Sequence, residues 1–290
     1  MRKLRFSLLL LFVSASVYAQ SLPGTTSTPA EPGNFYARWS AQTNRIQSKQ
    51  PPWIVPLVTT YTELIQVART DFTRQIAPAG TYTWNFDSSR GLDLITPGAM
   101  EFDINVPPYI QHNTTAVNGW GDFSFLVKHR IVSGNAQHGN FVLSAWALTT
   151  VPTGQAKNGS TNASVMPNLG GGKGFGRLDV QSTLGATLPT GTPATTASGR
   201  PIAWNTVAQY RISNIVWPEV ESNATYYKGG ANDGKKQEFV TPGIMIGKCA
   251  LRPADEGSRP GFAFGGGMQI ATSAFHSYNH ELVLTGRFIF

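Results

Sequence analysis

Between His280 and Phe290 the side chains sort by parity. Leu282, Leu284, Phe288 and Phe290 fall on one set of alternate positions, broken only by Gly286, while Glu281, Thr285 and Arg287 fall on the other. A strand turns successive side chains to opposite faces, so this segment has one apolar and one wet face. A last strand of this kind is a bare edge unless it pairs back onto an earlier strand. Closing the sheet on itself removes the edge. The constraint is therefore testable along the chain: two-residue periodicity should recur, and helical periodicity should not.

It recurs. In Gly98–Val106 the residues Met100, Phe102, Ile104 and Val106 oppose Glu101, Asp103 and Asn105. In Gly121–Val132, Phe123, Phe125, Val127 and Ile131 oppose Asp122, Ser124, Lys128 and Arg130, with His129 on the apolar side. Slipping that strand by one residue turns both cations into lipid at about 2–4 kcal/mol each near the midplane, so one register is preferred. Arg177–Leu188 sets Leu178, Val180, Leu184 and Leu188 against Asp179, Gln181 and Thr183. Ile202–Ile212 carries Trp204 and Tyr210 near opposite ends of its apolar side, as two aromatic girdles require. With Leu57–Arg74, Thr81–Phe86, Phe141–Val151, Val165–Gly172, Pro218–Tyr227, Glu238–Cys249, Gly261–Thr272 and the last strand, about 12 strands are expected. The expected fold is all-β, an antiparallel transmembrane β-barrel, with both termini on one side.

The leading residues carry a different signal. Met1–Arg5 is basic, Phe6–Val13 is apolar and Val17-Tyr18-Ala19 ends on a small residue, which reads as a secretory signal peptide over 1–19. That apolar run is short of the about 20 residues a spanning helix needs. Residues 20–52 are rich in Pro, Thr, Ser and Gly and read as a flexible N-terminal segment, either a periplasmic tail or a plug tucked into a lumen; composition favours the tail. The barrel is assigned to 53–290. Loss of Arg2, Lys3 and Arg5 lowers the net charge from +7 to +4, spread too thinly for a nucleic-acid surface. A single cysteine, Cys249, excludes an internal disulfide framework. Charged residues make up 13%, against roughly 25% in ordinary soluble domains, which suits strands with a largely neutral polar side.

Short motifs add a resemblance. Gly119-Trp120-Gly121-Asp122-Phe123-Ser124 precedes a strand, a tight turn and a second strand ending in Pro152-Thr153-Gly154, and Leu188-Pro189-Thr190-Gly191 repeats that ending. Together with Phe290 they resemble a family of bacterial outer-membrane transporters of the phenol meta-degradation pathway, over roughly Leu57 to Phe290. The terminal strand likewise resembles the closing strand of outer-membrane barrels. The resemblance implies a barrel of the bacterial outer membrane that passes small molecules, hydrophobic or aromatic ones included. It carries over no catalytic residue. The implied partners are outer-membrane lipid, a small solute, and the barrel-assembly machinery reached through the strand ending in Phe290.

Enzymatic and metal chemistry find little footing. His276 and His280 stand four apart between two strands, where helical spacing is not enforced, so no metal site is assigned. Leu169–Gly176 and Gly154–Thr161 lack the strand-to-helix context of a phosphate cradle and read as turns. Four Asn-X-Ser/Thr matches, at Asn113, Asn158, Asn162 and Asn223, read as chance. No cofactor and no enzymatic activity are expected. The residues that carry meaning are those with lumen parity: Glu101, Asp103, Lys128, Arg130, Asp179, Gln181, Arg211, Glu219, Glu221 and Arg287. Their mixed signs argue against a pore with one dominant ion preference, and they serve equally as filling or as a lined path. Leu126, Trp146, Val207, Ile244, Ile246 and Val283 share that parity and would line a route for an apolar solute. The expected function is passive diffusion of small molecules. The alternatives are a structural or adhesive surface barrel without transport, displaying loops such as Gln155–Ser164 and Tyr227–Gln237, and a barrel-embedded hydrolase.

Overall fold

The computed structural model describes residues 33–88, 90–192, 196–251 and 260–290. The expected signal peptide lies outside the described residues. Twelve antiparallel staves close into a barrel, each bonded to its sequence neighbours and the last to the first. They are β1 (Val67–Ile76), β2 (Tyr82–Phe86 with Gly91–Thr96), β3 (Met100–Asn105 with Tyr109–His112) and β4 (Gly119–Trp120 with Phe123–Gly134). β5 (Phe141–Val151), β6 (Ser164–Phe175), β7 (Leu178–Ala186 with Leu188–Pro189) and β8 (Ile202–Tyr210) follow. β9 (Val216–Tyr226), β10 (Lys236–Ala250), β11 (Gly261–Ala271) and β12 (His280–Ile289) complete the wall. Closure runs along the full length of β1 and β12, from Val67 opposite Ile289 to Ile76 opposite His280, so the amphipathic last strand has no free edge.

An even number of staves puts both ends of the barrel wall on one rim. That rim carries tight turns such as 97–99 and 176–177, and the other carries longer loops such as 152–163 and 227–235. Short turns face the periplasm in barrels of this kind. The alternating parities sort as physics requires. Met100, Phe102 and Ile104 point outward and are exposed, while Glu101, Asp103 and Asn105 are buried inside. Trp204 and Tyr210 are exposed on the outer face, and His129 lies outward as well.

The short motifs turn out to be architectural. The Asp122 carboxylate accepts the backbone N–H groups of Gly154 (2.9 Å) and Ser160 (2.6 Å) and the Ser160 hydroxyl, nailing the 152–163 loop to the top of β4. Gly121 is needed beside it, since a Cβ there would meet Pro108 Cγ at 2.9 Å.

Two expectations need correction. The barrel begins at Val67 rather than at residue 53, and Leu57–Arg74 is a strand only from Val67 onward. Upstream, Phe35–Gln47 forms α1 within the segment expected to be flexible. Asn34 Oδ1 caps it by accepting the Ala37 N–H at 2.8 Å. The helix is tied to the periplasmic rim: Trp39 Nε1 donates to the Ile95 carbonyl (2.9 Å) and Thr43 Oγ1 to Gln66 (3.3 Å). Between α1 and β1 the chain turns into the barrel. Pro51, Pro52 and Pro56 lack the N–H a ladder needs, which helps keep this stretch out of the wall.

Candidate functional site

The segment 51–66 is a re-entrant loop that fills the lumen. Its base is clasped at the periplasmic side, where Gln50 Nε2 donates to the Leu64 carbonyl (2.7 Å) and Leu64 N–H donates back to Gln50 Oε1 (3.1 Å). Leu57, Tyr61 and Leu64 are buried, and Leu57 packs with Ile54, Trp217 and Met245.

The wall side chains serve as the loop's hydrogen-bonding partners. On β9, Glu219 accepts the Leu57 N–H (3.0 Å), and Glu221 accepts those of Val58 (2.8 Å) and Thr59 (2.6 Å). On β12 and β1, the adjacent Arg287 and Arg69 donate to the carbonyls of Val55, Pro56 and Leu57. The loop backbone thus presents N–H groups to an acidic stretch of wall and carbonyls to a basic one. Buried backbone groups need such partners, and here side chains replace a strand.

Further round, Tyr61 OH lies between Asp93 Oδ2 (2.9 Å) and Glu101 Oε1 (2.8 Å). Lys128 Nζ donates to Glu101 (2.6 Å) and to the Glu63 carbonyl (3.2 Å), 3.4 Å from the centre of the Tyr61 ring. Gln181 Oε1 accepts from the Thr62 hydroxyl (2.9 Å) and Ser144 Oγ donates to the Thr62 carbonyl (2.6 Å). Arg130 reaches down to the Ile46 carbonyl and Gln50. Glu63 sits on the loop rather than on a spanning strand, and burial pushes its carboxyl up to about 7.

Nine of the ten sequence-assigned lumen residues are buried and face inward: Glu101, Asp103, Lys128, Arg130, Asp179, Gln181, Glu219, Glu221 and Arg287. Arg211 stands at the periplasmic mouth, where it lines a small cavity with Trp53 and Asp179. β8 ends at Tyr210, so Arg211 lies in the periplasmic turn, half-buried, with its guanidinium over the Trp217 ring. Of the apolar set, Leu126, Trp146, Val207 and Val283 are buried inside. Ile244 and Ile246 are corrected: Met245 is the inward residue, and Ile244 is exposed on the outer face. No charged residue of β10 in that stretch marks which parity is wet.

The glycine-rich run Leu169–Gly176 belongs to β6 as far as Phe175, and its Gly170, Gly172 and Gly174 face inward. A Cβ at Gly172 would meet Trp53 Cζ3 at 2.6 Å, and one at Gly170 would meet Trp146 Cη2 at 2.5 Å. Gly243 and Gly267 make the same room for Leu57. The Gly172→Val variant is therefore expected to lose about 1–3 kcal/mol through overpacking against Trp53. Trp53→Ala in the same chain should recover most of that loss, read as the midpoint of guanidinium unfolding.

His276 braces its own loop, contacting the Ser273 carbonyl and Asn279. Among the described residues no cluster of three or more His, Cys, Asp or Glu could hold a metal.

A closed antiparallel barrel with an apolar outer face and a polar interior defines a β-barrel of the bacterial outer membrane. No protein-family model matches the sequence, and no curated protein does either. Among solved structures, an outer membrane channel from Pseudomonas putida F1 matches with a TM-score of 0.54 at 13% identity, over 82% of this chain and 100% of that one. At that identity the likeness concerns the fold. The translocator domain of the autotransporter NalP from Neisseria meningitidis matches with a TM-score of 0.41 (13% identity, 81% of this chain, 91% of that one). Omp33 from Acinetobacter baumannii matches with 0.36 (9% identity, 79% and 100%).

Proposed function

We propose that the protein is a narrow outer-membrane channel for small molecules, closed in the described state by its own 51–66 loop and opened when that loop shifts. The observation that supports this best is the form of the closure. The loop backbone is held to the wall by side-chain-to-backbone hydrogen bonds instead of a strand ladder, and cavities of about 350 Å³ at the periplasmic side and about 210 Å³ at the extracellular side flank it. Passage would be passive diffusion without a cofactor. A preference for hydrophobic or aromatic solutes draws on the phenol-pathway resemblance and on Leu126, Trp146, Val207 and Val283 in the lumen. The strand ending in Phe290 is the part we assign to recognition by the barrel-assembly machinery, and the apolar outer face to lipid. No enzymatic role is proposed.

One feature favours a second reading, a rigid surface barrel without transport: the mixed lumen charges are largely consumed in holding the loop. Planar-bilayer recording separates the two. A channel gives discrete current steps from the purified full-length protein, rare in the unaltered chain and frequent once the loop's wall contacts are weakened. A silent bilayer with both forms, each shown folded by heat-modifiable gel migration, overturns the channel reading.

A further inference from the structure

A cavity of about 610 Å³ lies between α1 and the periplasmic end of β2. Its helical wall is one face of α1, where Phe35, Arg38, Trp39, Gln42 and Arg45 recur at the three- and four-residue spacings that share a side. Thr43 and Gln47, on the adjoining side, reach into the barrel mouth toward Gln66 and the Leu64 carbonyl. Arg38 and Arg45 stand seven residues apart, nearly in line and about 10 Å apart along the helix axis. The facing wall is Leu94, Ile95, Thr96 and Pro97, against which the bond from Trp39 to the Ile95 carbonyl fixes the helix. No acid lines this cavity, and the sequence between 33 and 62 contains none. Both arginines are exposed, and among the described residues neither has an ion-pair partner. The cavity therefore offers two cations that no group of the protein neutralises.

Its place on the rim says what the ligand is. Ile95 has inward parity, while Leu94 has outward parity and pairs across the ladder with the exposed Phe102, so the cavity meets the lipid-facing side of the wall. Elsewhere on the periplasmic rim the wall carries its own outward rings, Phe175, Tyr210 and Phe262. At the turn between β2 and β3 the outward residues are Leu94, Thr96 and Met100, and α1 supplies the rings instead. Phe35 is 74% exposed, and its ring centroid lies 6.1 Å from that of Trp39. Aromatic side chains at this level seat in the headgroup layer. Arginine binds phosphate through paired N–H groups, and basic clusters beside a membrane draw anionic lipid. We propose that this cavity binds an anionic phospholipid of the periplasmic leaflet, its phosphate held between Arg38 and Arg45 and an acyl chain rising over Leu94 and Phe102. The site is independent of whether the barrel conducts.

The test is native mass spectrometry of the full-length protein, released from detergent with equimolar phosphatidylglycerol and phosphatidylethanolamine of the same acyl chains. The unaltered protein should retain phosphatidylglycerol preferentially. The Arg38→Gln, Arg45→Gln double variant should lose that preference by about tenfold or more, at roughly fivefold per cation removed. Both changes lie on an exposed helix face and leave the bond from Trp39 to Ile95 in place, so heat-modifiable gel migration should be unaltered. The Lys157→Gln, Arg200→Gln variant removes two cations from extracellular loops and should keep the preference. Glycerophosphoglycerol, the headgroup without its chains, should not displace the lipid even in large excess, because it covers none of the apolar outer face. Equal retention of the two lipids, a preference unchanged in the Arg38, Arg45 variant, or an equal loss in the Lys157, Arg200 variant overturns the proposal. Displacement by the free headgroup also overturns it, by marking the cavity as a site for a soluble phosphate.

Discussion

The Glu221→Ala variant passes current far more often than the unaltered chain. Glu221 alone accepts two loop N–H groups, from Val58 and Thr59, with one carboxylate oxygen each. Removing it leaves both donors without that partner in the closed state, at about 1–3 kcal/mol per group. Water admitted to the vacated space recovers part of this, so the closed state should lose about 1.5–3 kcal/mol in all. Every 1.4 kcal/mol is a factor of about ten, which gives a rise in open probability of roughly ten- to a hundredfold. The wall keeps its own strand bonds between β8, β9 and β10, so the barrel should migrate and unfold much as before. Glu221→Gln keeps one acceptor oxygen and should fall between. An open probability unchanged in folded Glu221→Ala would mean that the loop is not the gate.

That closure was only partly legible in the sequence, for identifiable reasons. Where charge alternates with apolar bulk, as in Met100–Asn105 or Leu178–Thr183, the parity of the strand is forced and the lumen residues follow. Where both faces are neutral the parity is undetermined. In β10 the outward Ile244 and Ile246 and the inward Phe239, Thr241 and Met245 carry no charge, so the pattern alone does not say which set faces the lumen. The stretch 57–66 has the Thr, Tyr and Ile content of a strand, so composition gave no warning that its N–H groups would be satisfied by Glu219 and Glu221 from 162 or more residues away. Only Pro51, Pro52 and Pro56 hinted at it. α1 was signalled by Asn34 as a cap and by Phe35 and Trp39 four apart, a cue easily lost in a Pro/Ser/Thr-rich context. The glycines of β6 look like weakness in a strand until Trp53 and Trp146 are seen lying on them.

Lys128 is the position where a single substitution should cost the barrel most. Its side chain is 0% exposed, and its ammonium serves Glu101, the Glu63 carbonyl and the Tyr61 ring together. Lys128→Met keeps the volume but strands the Glu101 carboxylate in a site that excludes water. Removing one partner of a buried pair costs about 3–5 kcal/mol, because the remaining charge is uncompensated. Replacing both partners by neutral groups is far milder, so the Glu101→Gln, Lys128→Met double variant should regain about 2 kcal/mol or more. Glu101 also accepts the Ile65 N–H, and a glutamine carbonyl can take over that bond. The measurement is guanidinium unfolding in phospholipid vesicles for the four members of the cycle. Additive losses in the double variant would show that Lys128 stabilises the barrel through its packing on Tyr61 and Trp146 rather than through the charge on Glu101.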